Sequence, residues 1–163
     1  MPTKRTPQSR PRAEAVARIE VQVACDARDL PRVRRLRALA RAAAAGRAQV
    51  TLRIVGAAEG RRLNSAYRQR DCATNVLAFD YRPPRGTARR AAEGDIVLCH
   101  PVLAREARAQ RKHLADHYAH VVVHGVLHLR GYDHRHAAEA ARMQRHEASI
   151  LRRFGIANPY LVR

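Results

Sequence analysis

The stretch "VVVHGVLHLRGYDH", Val121 to His134, decides how this chain is read. Its apolar residues, taken with the uninterrupted run from Leu114 onward, predict a buried helix from about Leu114 to Arg130. Gly131 is well placed to end it, because glycine takes the left-handed conformation found just past helix ends. His124 and His128 are four positions apart and project from one face about 6 Å apart along the axis. Two imidazoles at that spacing can bind one metal ion, and a turn at Gly131 brings His134 back as a third ligand. Three nitrogen ligands leave a fourth tetrahedral position open, as in catalytic rather than structural zinc, although imidazoles also accept other divalent metals. Chance spacing explains His124 and His128 alone about as well; Gly131 and His134 narrow the choice to a metal site. His100, His113, His117, His120, His136 and His146 have no such spacing and are expected on the surface or in packing, with His120 able to line the same helix face as His124.

The spacing matches the H-E-x-x-H-x-x-G-x-x-H pattern of metzincin proteases, except that Gly125 stands where their glutamate general base would be. Such a site can hold metal and polarise an oxygen, but it cannot run glutamate-assisted attack on a peptide. A small residue at 125 is expected to leave room for a bulky substrate. Asp133, beside the third histidine, and Glu147, in the last helix, are expected as hydrogen-bond partners that orient imidazoles.

Outward from this stretch, hydrophobic periodicity sets the remaining elements. "RIEVQVAC" and "AQVTLRIV" alternate as strands, "TNVLAFDY" is a third and "DIVLC" a fourth. Between them, Asp29 is placed to cap a helix that begins near Pro31 and carries Val33, Leu36, Leu39 and Ala40 on one stripe. "AAEGRRLNSAYR" forms a short helix, "RPPRGTARRAAEG" an exposed loop, and Pro101 opens the helix "PVLAREARAQR". The final helix runs from about Ala137 to Phe154 with Met143, Ile150 and Leu151 at helical spacing. The expected fold is α+β, a single domain with a mixed sheet of about four strands packed with about five helices and a three-histidine site at the end of a buried helix. Residues 1–14, rich in Pro, Thr and Arg, are expected to form a disordered basic tail before a domain spanning 15–163.

At 163 residues the chain can bury a core without staples, so a metal would serve chemistry rather than folding. Lys and Arg total 32 against 14 Asp and Glu, and the resulting +18 attracts polyanions, nucleic acid first. Thirty of those cations are Arg and two are Lys, a bias that GC-rich coding also produces, so the charge alone decides nothing. Cys25, Cys72 and Cys99 form no CxxC pair and fit reduced thiols packed as small apolar residues in a cytoplasmic protein. No apolar run is long enough for a membrane span, and the basic first segment lacks the apolar stretch of a secretory signal.

"HGVLHLRGYDH" resembles the H-G-x-L-H-L-x-G-Y-D-H signature of the YbeY family, bacterial endoribonucleases that act in ribosomal RNA maturation. "LNSAYRQRDCATNVLAFDY" is similar to that family's L-N-x-x-Y-R-x-x-D-x-x-T-N-V-L-S-F segment, and "MQRHEASILRRFGI" to its closing helix, so the likeness runs from roughly Ala48 to Ile156. Ala78 replaces the usual serine, and Asp80 and Tyr81 follow Phe79 where a proline is common. The resemblance implies one zinc ion on His124, His128 and His134, with His124 and Arg68 as the residues of cleavage. It also implies single-stranded RNA as substrate, with ribosomal RNA, notably the small-subunit 3′ end, and the small ribosomal subunit as partners in maturation and quality control. Neither DNA nor a membrane is an expected partner.

Arg68 suits stabilisation of a phosphoryl transition state because its guanidinium is always charged and makes forked hydrogen bonds to phosphate. Without the resemblance it would read as one surface arginine among thirty. Asn64, Asp71, Thr74 and Asn75 fit either a cleft wall or caps and turns, and Tyr67, Tyr81 and Tyr132 fit either base stacking or a core. Two rival functions remain: a non-catalytic ribosome assembly factor with a structural metal, and a metal-dependent hydrolase of another substrate.

Overall fold

The computed structural model describes residues 16–82 and 91–161; the expected basic tail, 1–14, lies outside them. Strands β1 (Ala17–Ala24), β2 (Ala48–Val55), β3 (Val76–Asp80) and β4 (Ala92–Cys99) form one sheet in the order β1-β2-β4-β3. β1, β2 and β4 are parallel, and β3 runs antiparallel to β4 at the edge, so the sheet is mixed. Helix α1 (Val33–Ala44) crosses between β1 and β2, and α2 (Ala57–Arg68) follows β2. After β4 come α3 (His100–Ala109), α4 (Leu114–Leu129) and α5 (Ala137–Arg153), giving five helices among the described residues. None of them is long and apolar enough to cross a membrane.

Strand alternation divides the core. Val50, Leu52 and Ile54 of β2 and Ile96 and Leu98 of β4 face the larger cluster, which α1, α4 and α5 close with Leu36, Leu39, Val122, Val126, Leu127, Met143 and Leu151. Val55, Val97 and Cys99 point to the other face, where Leu63 of α2 and Val102 of α3 meet them. α4 therefore lies on the opposite side of the sheet from α2. Tertiary burial outweighs local capping here: α1 has no side-chain cap, worth about 1 kcal/mol, but fully buries Leu36 and Leu39 at about 1.5–3 kcal/mol each.

Two sequence expectations are corrected. Asp29 does not cap α1, which starts at Val33 after Arg32; its carboxylate lies too far ahead of the first turn and instead meets His100 Nε2 at 3.1 Å. β4 begins at Ala92, inside the expected loop, because Ala92–Gly94 pair with Ala48–Val50 of β2, a long-range partnership that weak local β-propensity hides. Of the cysteines, Cys99 is buried as expected, Cys25 is partly buried, and Cys72 is exposed.

Candidate metal centre

α4 presents one face to the sheet and α1 and the other to α5, and the three-histidine group lies along its second half. His117, Val121, Val122, Val126 and Leu129 are buried, while His120, His124 and His128 are partly exposed one turn apart. At the helix end, the Tyr132 N–H donates to the Leu127 carbonyl at 3.1 Å and the Gly131 N–H to the His128 carbonyl at 2.9 Å, with Gly131 at φ 88°. This paired closure folds the chain back and carries His134 to the two helical histidines. Alanine at 131 would adopt that left-handed φ at a cost of about 1–2 kcal/mol. Gly131→Ala is accordingly expected to lower the midpoint of urea unfolding and to weaken metal binding together, through the displaced His134.

His124, His128 and His134 each offer a ring nitrogen, and those atoms lie within 4.8 Å of one another. Ring centroids are 4.7 Å apart for His124 and His128, 5.0 Å for His128 and His134, and 6.0 Å for His124 and His134. Burial, followed by the nearby His124 and His134, pushes the His128 imidazole down to about 4, so it keeps a free lone pair at neutral pH, as a ligand must. The donor set fits a single divalent ion with room for a further ligand.

Glu147, fully buried on α5, organises the group. One carboxylate oxygen accepts from His124 Nδ1 at 2.6 Å, leaving Nε2 of that ring for a metal. The other oxygen accepts from His120 Nε2 at 3.2 Å and from the Tyr160 hydroxyl. Burial alone would raise this carboxyl, but the hydrogen bonds from His120, His124 and Tyr160 outweigh it and hold it down at about 2. Glu147 thus has the orienting role expected of it. Asp133 does not: Oδ1 accepts the His134 backbone N–H at 2.7 Å and Oδ2 pairs with Arg135 at 3.0 Å, which fixes the loop rather than a ring. Tyr160 was not legible at all, since no periodicity or motif marks a residue that reaches Glu147 across the turn after α5.

Gly125 faces the core. A Cβ there would sit 3.0 Å from Ile96 Cδ1 and 3.2 Å from its Cγ2, so the missing side chain lets α4 lie close on β4 and does not enlarge a substrate cleft. A glutamate at this position would point into the sheet and not toward the histidines. Gly125→Ala presses its Cβ on both Cδ1 and Cγ2 of the fully buried, β-branched Ile96, and overpacking of about 1–3 kcal/mol outweighs a helix-propensity gain of about 1 kcal/mol, so the variant should unfold at modestly lower urea. Gly125→Glu buries an unpaired carboxylate at a cost of several kcal/mol, and should unfold at markedly lower urea without gaining peptidase activity.

The remaining sequence candidates separate. Arg68 ends α2, on the opposite sheet face from α4, and is exposed, its side chain making no ion pair or hydrogen bond to another described residue. Asn64 is buried and donates to the Cys72 carbonyl at 2.7 Å, Asp71 pairs with Arg61 at 2.6 Å, and Asn75 donates to Glu106 at 3.0 Å, so these three brace the α2–β3 segment. Tyr132 is buried, whereas Tyr67 and Tyr81 are exposed, with Tyr67 edge-on to Phe79 at 4.8 Å.

A family model described as endoribonuclease YbeY matches residues 28–155, most of the chain, with the three histidines and Glu147 inside the match. The chain belongs to the YbeY family. Among relatives carrying the name endoribonuclease YbeY, one from Bordetella petrii is 62% identical over 115 residues, covering 70% of this chain and 72% of that protein. One from Bordetella avium is 53% identical and covers 88% of this chain and 93% of its own length, and one from Thiobacillus denitrificans is 50% identical over 88% and 95%. A solution structure from Thermotoga maritima, 20% identical, superposes with a TM-score of 0.57 over 89% of this chain and all of that one, a likeness of fold.

Proposed function

We propose that this chain is a zinc-dependent, single-strand-specific endoribonuclease that matures ribosomal RNA at the small-subunit 3′ end and serves ribosome quality control in the cytoplasm. The observation that carries the reading is the three-histidine group with Glu147 fixed on His124, in a chain of the YbeY family. His124, His128 and His134 would hold one zinc ion, which would supply Lewis acidity beside a phosphate.

The protein's own groups do the rest. Glu147 accepts the Nδ1–H of His124 and so fixes which nitrogen faces the ion. Tyr160 and His120 share that carboxylate and keep it from swinging toward solvent. Arg68 has no side-chain partner among the described residues, and because α2 packs on the other sheet face from α4, the RNA would have to run from the centre to the end of α2 for its forked N–H groups to stabilise the charge that grows on phosphoryl oxygens during cleavage. The +18 chain draws RNA in by long-range attraction, an attraction that salt weakens.

Arg68→Ala tests the assignment. Arg68 is exposed and its side chain has no partner among the described residues, so the variant should keep its fold and metal content while single-stranded RNA cleavage falls by roughly two to three orders of magnitude, as for loss of one transition-state donor. Undiminished cleavage would remove Arg68 from the chemistry. If the wild type binds RNA without cutting it, the assembly-factor reading replaces this one.

A further inference from the structure

α2 covers only part of the sheet face it packs on. Beside it lies an open pocket of about 560 Å³, lined among others by Arg53 of β2, Asp95 of β4, Glu59 and Tyr67 of α2, Phe79 of β3 and Tyr81 just after β3. The Tyr81 N–H donates to the Glu93 carbonyl at 3.1 Å, which continues the β3–β4 ladder and turns residues 79 and 81 to the same face. Tyr67 comes down on that face from α2 and meets the Phe79 ring edge-on, with centroids 4.8 Å apart. Phe79 is partly buried against the smaller core cluster, but the two tyrosines keep most of their surface in solvent, 66% for Tyr67 and 59% for Tyr81. Two large rings left in water at one pocket mark a surface that gains by being covered.

The charges around them indicate what covers it. The carboxylates of the pocket are already answered, Glu59 by Arg53 at 2.9 Å and Asp95 by the Tyr81 hydroxyl, a bond that also steadies the Tyr81 ring. Arg68 and Arg70 follow Tyr67 in the chain, are exposed, and have side chains without a partner among the described residues. Open aromatic faces beside free guanidinium groups are the combination that grips single-stranded nucleic acid, with bases on the rings and phosphates on the cations. A duplex has its base faces already stacked and cannot offer them.

The position of the rings ties them to the metal centre. On the α4 side of the sheet, Leu129, next to His128, packs over Gly94, which pairs with Asp80 of β3. On the α2 side, Tyr67 meets Phe79, the residue before Asp80. The histidines and the tyrosines therefore stand at one height along β3, on opposite faces of the sheet, and β3 is its edge strand. We propose that Tyr67 and Tyr81 form a stacking platform for bases of a single-stranded RNA, whose backbone runs past Arg68 and around the β3 edge to the three-histidine centre. The proposal rests on the endoribonuclease reading and adds to it the surface that holds the substrate by its bases, away from the phosphate that is cut.

The chain contains no tryptophan, so Tyr67→Trp installs a single fluorescent reporter while keeping an aromatic face at the platform. The metal-loaded variant is mixed rapidly with a short single-stranded RNA, and separately with the same ribose-phosphate chain made without bases. The RNA should quench the tryptophan saturably before cleavage proceeds, and the base-free chain should not. Equal quenching by both, or none by an RNA that anisotropy shows to be bound, would overturn the platform. Tyr67→Ala and Tyr81→Ala, with fold and loading checked by urea midpoint and metal content, should each weaken RNA binding and raise KM about tenfold with kcat little changed, the size expected for loss of one stacked base. Tyr67→Phe should keep the wild-type values, and the base-free chain should bind wild type and both alanine variants alike. Unchanged RNA affinity and KM in both alanine variants would overturn the platform, while their cleavage would leave the endoribonuclease reading intact. A wild type that binds RNA through these rings and never cuts it would instead overturn that reading and leave the platform standing.

Discussion

His124→Ala protein is expected to leave purification with almost no bound metal and to cleave no RNA, while unfolding at nearly the same urea concentration as metal-free wild type. The geometry explains the size of the effect. Two histidines remain where three nitrogens lie within 4.8 Å of one another, and an open site with three protein ligands has none to spare. The fold should survive, because His124 is partly exposed and Glu147 keeps His120 and Tyr160 as partners when one donor goes. Elemental analysis of wild type and variant checks the claim. About one ion per chain falling to near zero is the expected change, and full occupancy in the variant would move the metal elsewhere.

Glu147→Ala should produce the second largest change, and in two observables at once. It removes a fully buried carboxylate and leaves His120, His124 and Tyr160 without their acceptor. All three donors are partly exposed and water answers part of the loss, so the expected destabilisation is about 2–4 kcal/mol. Metal affinity should fall by about 10–100-fold, because the His124 ring loses the bond that fixes its orientation. Urea unfolding and competition against a metal chelator measure the two effects. An unchanged affinity would reduce Glu147 to a packing role.

Acid titration of the metal-free protein separates these groups further. A carboxyl held at about 2 in the fold and at its ordinary 4.5 when unfolded contributes stability that is complete above 4.5 and is lost as pH falls toward 2. His128, pushed by burial to about 4 from an ordinary 6.5, acts in the same direction at higher pH: the unfolded chain takes up that proton first, so stability drops between about 6.5 and 4. Wild type should show both declines in urea midpoints, and Glu147→Ala should lose the lower one. Equal acid sensitivity below pH 4.5 in both proteins would mean that Glu147 is not the group responsible.

Local pattern carried most of the architecture. The helices around Val121 to His134 and Met143 to Leu151 were legible because nothing interrupts their apolar spacing, and Gly131 marked the turn that the structure closes with two backbone hydrogen bonds. Partnerships made in space were hidden: the start of β4 at Ala92, set by pairing with β2, and the tie between Asp29 and His100. At the site, the three histidines share one short segment and could be read directly, and Glu147 could be suspected from its helix. Tyr160 could not, since its partner lies across a turn, and the direction of Gly125 became clear only with Ile96 beneath it. Arg68 stands apart, because an exposed arginine among thirty carries no local mark and was singled out by family resemblance alone.

The most direct test of the account is cleavage of a labelled single-stranded RNA by the wild-type chain before chelation, after chelation, and after return of one equivalent of zinc. Activity that falls to background without metal and returns with a single equivalent is the predicted result. Cleavage that continues unchanged in protein shown to be metal-free would contradict it.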